Sequence, residues 1–251
     1  MLYDVSGADD SERIVFTRNE ALRGACVFTS QLDMVIIYFA LLQFIEDKQI
    51  GVPYLVLMVS SFLLINQVTI FFVTEEFDVE GKLKSMLTFA LFGYGFTPMI
   101  RTLTTSICTD TIYAVSWIAF VLSMVFQDYG LKGPLVSHVL SLNLGISGAV
   151  FLVSRMGDNF DAFWLLTTAI CFFVYWPQIR NKINNISFAF PFFYELICFS
   201  IACYSVSKLS ESYLHMLLIS HTFLLLVFPM MLMFLQPMKN TIHGPWDIMA
   251  S

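Results

Sequence analysis

Apolar positions along this chain come in long unbroken runs, with polar residues gathered into the short intervals between them. The runs cover residues 29–45, 52–73, 83–105, 111–127, 133–155, 160–179, 188–206 and 213–236. An α-helix needs about 20 predominantly apolar residues to cross the hydrocarbon core of a bilayer. Each run is close to that length, and none shows the strict alternation of a half-buried strand. The pattern predicts an all-α, polytopic integral membrane bundle of about eight transmembrane helices. The intervals are short, so consecutive helices are expected to pack as antiparallel neighbours. Residues 1–28 read as a short acidic tail, 29–236 as the transmembrane domain, and 237–251 as a C-terminal tail.

Composition sharpens this. Hydrophobic types make up 57% of the 251 residues and charged types 13%, with 26 Phe and 13 Met; soluble domains carry about 25% charged residues. With mean hydropathy at +0.74, one compact water-soluble domain could not hide so much apolar surface. Disorder requires the opposite composition. A net charge of −6 without a basic cluster argues against nucleic-acid binding. The start, MLYDVSGADDSERIVF, lacks the basic and then apolar order of a secretory signal, so the first apolar helix is expected to act as an uncleaved membrane signal. Five cysteines (Cys26, Cys108, Cys171, Cys198, Cys203) form no CxxC and read as small apolar filler rather than a disulfide framework.

Basic residues set the expected orientation. With eight spans the termini share a side, which holds Arg13, Arg18, Arg23, Lys82, Lys84, Lys132, Arg180, Lys182 and Lys239; the other side holds Lys48, Arg101, Arg155 and Lys208. The excess places both termini in the cytosol. It also leaves the sequon Asn185-Ile186-Ser187 there, unglycosylated.

Inside the runs, polar residues are the candidates for contacts or chemistry. Ser137, Ser141, Gly145 and Ala149 recur every four residues, with Gly148 and Asn143 on the same helix. Such a stripe permits close backbone approach, either to another subunit or within the bundle. Glu195 lies about 10 Å into the seventh run at 1.5 Å per residue. Asp33 stands about one turn into the first, within reach of the interface. With His138, His215 and His221, these two acids could form a proton relay or a polar headgroup pocket, or simply satisfied contacts between helices. His215 and His221 are about 240° apart on a helix, so they cannot share a metal as an i,i+4 pair would. No HExxH, GxSxG, P-loop or Asp-x-Asp motif occurs. The residues therefore give no catalytic constellation and imply no cofactor or metal.

Other motifs read as turns and anchors. Gly93, Gly95 and Pro98 should loosen the third helix, and Pro191 and Pro229 should kink theirs. Hydroxyls at Thr102, Thr104, Thr105, Ser106 and Thr109 can satisfy the freed backbone. Asp110 is placed to cap a helix starting at Thr111, and Arg101 to pair with Asp110 or an acidic lipid group. Asp128-Tyr129-Gly130 reads as a turn. Arg180 and Lys182 fall at the headgroup level, as attractors of anionic inositol lipid or as positive-inside anchors. His243 and Trp246 lie in HGPWD, where Gly244-Pro245 makes a rigid turn and the indole suits the interface.

Several of these segments together resemble one family. FGYGFTPMIRTLTTSICTDTIYAVSW (92–117), QDYG (127–130), SHVLSLNLGISGAVFLVSR (137–155), WPQIRNKI (176–183) and NTIHGPWDI (240–248) are similar, in order and spacing, to the PIG-C family. The resemblance runs from about residue 83 to the end. One departure is the segment before the first span: the family usually carries a longer one with a Tyr- and Pro-containing motif, whereas here the first proline is Pro53. The resemblance implies a multispanning, non-catalytic subunit of the complex that transfers N-acetylglucosamine from UDP-GlcNAc to phosphatidylinositol. That is the first step of GPI-anchor biosynthesis, at the cytosolic face of the endoplasmic reticulum. It further implies a catalytic partner, PIG-A, which carries the glycosyltransferase fold, and the partners PIG-H, PIG-P and PIG-Q. On this reading, contacts to lipid or partners fall among Arg101, Asp110, Asp128, Tyr129, Asn143, Gly145, Arg180, Lys182, Glu195, His243 and Trp246. The HGPWD ending would dock the catalytic subunit. The other readings open to the residues are a stand-alone lipid-modifying enzyme, with Glu195, Asp128 or a histidine as general base, and a small-solute transporter.

Overall fold

A computed structural model describes residues 17–74, 79–129, 137–184 and 186–235. The acidic start, Asn185 of the sequon, Gly130, His243 and Trp246 lie outside the described residues. The described chain forms helical rods α1 (Arg18–Glu46), α2 (Val52–Thr74), α3 (Val79–Leu103), α4 (Thr109–Phe126), α5 (His138–Val153), α6 (Asn159–Asn184), α7 (Phe190–Leu209) and α8 (Glu211–Leu235). Of these, α1, α4, α6, α7 and α8 are long and apolar enough to cross a membrane; the apolar stretches in α2 (Val52–Val68) and α5 (His138–Val153) are shorter.

The first helix starts well ahead of its apolar run. Thr17 and Glu20 form a reciprocal capping box: Glu20 N–H donates to Thr17 Oγ1 at 3.3 Å, and Thr17 N–H donates to Glu20 Oε2 at 2.8 Å. The polar stretch after the cap is therefore helical. Asp33 consequently stands near the middle of a 29-residue helix and is fully buried.

Helix α1 is the centre of the bundle and packs against α4, α6, α7 and α8. The most extensive helix pair is the antiparallel hairpin of α4 and α5. Aromatic rings fill the middle: Tyr38 meets Phe120 and Phe173 edge-on, with ring centroids 6.0 and 5.7 Å away, and those two rings stack at 4.8 Å. The outer faces carry exposed Leu57 and Leu64 on α2, Leu91 and Met99 on α3, Ile118 and Val125 on α4, and Ile219 and Phe234 on α8. Buried inside are Thr29, Gln31, Asp33, Arg180, Glu195 and His221. Apolar side chains outside, with the ionisable ones kept inside, is the distribution a hydrocarbon solvent demands, because lipid can satisfy no polar group.

The prolines are accommodated rather than disruptive. Pro98 sits inside α3, which runs on to Leu103, and Thr97 Oγ1 donates to the Gly93 carbonyl at 2.8 Å. The chain turns after Leu103, where Ile107 N–H donates to Thr104 O. Pro191 falls in the first turn of α7, where its missing N–H has no partner to lose. Pro177 and Pro229 each follow a π-helical turn by two residues, at Cys171–Tyr175 and Phe223–Val227. The wider turn makes room for a ring that would otherwise clash with the preceding turn.

Candidate functional site

The small-residue stripe of α5 faces α4. Ser123 Oγ donates to Ser141 O and Ser141 Oγ donates to Ser123 O, each at 2.7 Å, while Gln127 Oε1 lies 2.7 Å from Ser141 Oγ. A Cβ on Gly145 would stand 3.0 Å from Ser123 Oγ and 3.2 Å from the Phe173 side chain. Of the two readings of the stripe, the structure uses it for packing within the bundle. Asn143, on another face of α5, is exposed.

Arg101 and Arg155 form a reciprocal lock between two connections. Arg101 Nε donates to Met156 O at 2.8 Å, and its terminal nitrogens donate to Gly157 O and Asn159 Oδ1. Arg155 Nη2 donates to Thr104 O at 3.1 Å and to Ile107 O, and Thr104 and Ser154 share a hydroxyl bond of 2.6 Å. Arg101 thus binds the α5–α6 connection rather than pairing with Asp110. Helix α4 starts at Thr109, with Cys108 as the residue before it, so Asp110 is exposed in the first turn and is not the cap. There it still complements the positive end of the helix dipole.

Arg180 is fully buried among helices. Its Nη1 donates to Val27 O at 3.4 Å and Gln31 Oε1 at 3.2 Å on α1, and its Nη2 to Asp128 O at 3.2 Å. The guanidinium carbon lies 5.3 Å from the Tyr129 ring centroid, and Tyr129 OH donates to Met124 O at 2.6 Å. One side chain thereby joins α1, α6 and the segment after α4, and brings together Asp128, Tyr129 and Arg180. Asn184, at the end of α6, accepts from Arg23 through its carbonyl and from Tyr194 through Oδ1. Lys182, on the same turn, is half-buried.

The deepest charged cluster lies between α1, α7 and α8. His221 Nε2 is 2.9 Å from Glu195 Oε1 and 3.6 Å from Asp33 Oδ2. All three residues are buried, and the His221 ring stacks on Phe199 with centroids 4.2 Å apart. Among the described residues, both Asp33 oxygens, Glu195 Oε2 and His221 Nδ1 have no hydrogen-bond partner. Glu195 could be picked out from sequence because it interrupts an apolar run. Its grouping with Asp33 and His221 could not, because the residues come from three helices. His215 is separate: its Nδ1 lies 2.7 Å from Glu211 O on an exposed face.

Apolar outer faces and long apolar helices, with arginine, carboxylate and imidazole side chains kept inside the bundle, define a helical membrane protein. Comparison with known proteins gives its family. Residues 14–247 match the family model described as phosphatidylinositol N-acetylglucosaminyltransferase, and the chain belongs to the PIG-C family. The human protein named as the C subunit of phosphatidylinositol N-acetylglucosaminyltransferase is 38% identical over 177 residues, covering 66% of this chain and 56% of that protein. A Dictyostelium discoideum protein that carries the same name provisionally is 32% identical over 229 residues, covering 87% of this chain and 65% of that protein. A Schizosaccharomyces pombe protein, named as the GPI2 subunit of the same transferase, is 28% identical over 179 residues, covering 67% of this chain and 53% of that protein. The chain thus spans little more than half the length of the mammalian relatives it matches. No solved structure matches it.

Proposed function

We propose that this protein is the multispanning, non-catalytic subunit of the complex that transfers N-acetylglucosamine from UDP-GlcNAc to phosphatidylinositol in the endoplasmic reticulum membrane. The family match across residues 14–247 carries this reading. The placement of the polar side chains supports a scaffolding role: the Arg101 and Arg180 guanidinium groups bind carbonyls of other helices and connections. Eight spans with both termini in the cytosol would put Lys182 and the HGPWD segment on the face where the nucleotide sugar is available. Catalysis would rest with a PIG-A-like partner, with PIG-H, PIG-P and PIG-Q completing the assembly. Exposed Asn143 and Asp110 remain open to lipid or partner, as does the C-terminal segment with His243 and Trp246.

The test is synthesis of N-acetylglucosaminyl-phosphatidylinositol from labelled UDP-GlcNAc by microsomes depleted of this protein. The expected outcome is loss of product, restored on re-expression. Unchanged synthesis would refute the assignment and favour a stand-alone enzyme or a transporter.

A further inference from the structure

We propose that Asp33, Glu195 and His221 form a binding site for one divalent transition-metal cation, which clasps α7 and α8 onto the central helix α1. The three ligand atoms come from three different helices and lie within 4.8 Å of one another. Zinc holds nitrogen and carboxylate oxygen at about 2.0–2.2 Å, which in a tetrahedral site puts neighbouring ligand atoms roughly 3.3–3.5 Å apart. The separations of 2.9 and 3.6 Å from His221 Nε2 straddle that value, so the imidazole and each carboxylate stand near the spacing of two ligands on one ion. The donor set of one imidazole and two carboxylates suits a borderline divalent ion rather than a soft monovalent one.

Charge makes the same argument independently. Asp33 is fully buried and neither of its carboxylate oxygens accepts a hydrogen bond, although Oδ2 points at His221. Glu195 Oε2 is also buried without a partner. Among the described residues, His221 is the one base within ion-pair distance of either carboxylate. With both carboxylates ionised and the imidazole neutral, the site would hold two negative charges in a low-dielectric interior, which only protonation or a bound cation relieves. One divalent cation cancels both, and its coordination would occupy the orphaned Asp33 oxygens. The Phe199 ring stacked on His221 and the π-helical turn that begins two residues after it hold the imidazole in place. A metal here would be structural, since the cluster sits inside the helix bundle and all its ligands are buried.

The experiment uses the full chain purified in detergent with its native partners and without chelator. Zinc content is measured by mass spectrometry after exposure to Zn²⁺ and removal of excess ion. The expected result is about one zinc per chain, with the signal lost in Asp33→Asn and in His221→Gln. Because either variant could destabilise the bundle, the thermal midpoint of the wild type is followed in parallel. It should fall on treatment with a strong chelator and recover on adding Zn²⁺, and Co²⁺ substitution should give visible absorption that the variants lack. A wild-type chain without stoichiometric zinc and with a midpoint indifferent to chelator would overturn the proposal. So would zinc retained undiminished in both variants.

Discussion

Arg180→Ala is expected to lower the steady-state amount of folded protein several-fold. The guanidinium is fully buried and donates to Val27 O, Gln31 Oε1 and Asp128 O. Removing it takes a charged donor away from Val27 O and Gln31 Oε1 on α1 and from Asp128 O after α4, in an interior that holds no bulk water. Hydrogen bonds to a charged group contribute about 1.5–3 kcal/mol each, and relief of the cost of burying the guanidinium charge offsets part of that sum. The combined effect is on the order of 3 kcal/mol, enough to change cellular abundance several-fold. Arg180→Lys should rescue poorly. A single ammonium cannot reach acceptors on two separate elements as a forked, planar group does, nor stack as well over the Tyr129 ring. The measurement is abundance and thermal midpoint in detergent for both variants. Wild-type stability in Arg180→Ala would show that the guanidinium does not hold these elements together.

Gly148→Val should separate α4 from α5. A Cβ at this position stands 3.2 Å from the Ser116 backbone carbonyl and 3.2 Å from the Phe120 ring. Neither neighbour yields easily: the carbonyl belongs to a helix, and Phe120 is fully buried against Phe173 and Tyr38. Overpacking of this kind costs about 1–3 kcal/mol, and here it would also pull apart the paired Ser123–Ser141 hydrogen bonds nearby. Asn143→Ala, on an exposed position of the same helix, is the matched control and should leave stability unchanged within about 0.5 kcal/mol. Comparing the thermal midpoints of the two variants checks this. Equal midpoints would mean that the seam has slack which the geometry does not show.

The candidate site was only half legible in the amino-acid sequence. Arg180, Glu195 and Gly145 could be singled out because a charge or a glycine inside an apolar run needs a reason. What each one does could not be read. Arg180 lies in a basic stretch at a helix end and looked like an anchor at the headgroups; the bundle closes over it instead. Arg101 and Asp110 are close in sequence and looked like a pair, but Arg101 reaches across to Met156, Gly157 and Asn159. The capping box at Thr17 starts the helix well before the apolar run at residue 29, so Asp33 falls near the helix middle, where α7 and α8 pack against it.

Local physics set the helices. Backbone groups in hydrocarbon must bond within their own segment, so each long apolar run becomes a helix whatever surrounds it. Which polar side chains meet is a property of helix packing, and it joins residues far apart in the chain: Arg180 to Val27 across 153 positions, and Glu195 to His221 across 26. No periodicity along a single helix encodes such a meeting. The sequence by itself determined an all-helical chain with a few polar residues embedded in apolar helices; only the tertiary structure decided that Asp33, Glu195 and His221 share one buried point, because three helices must close around it.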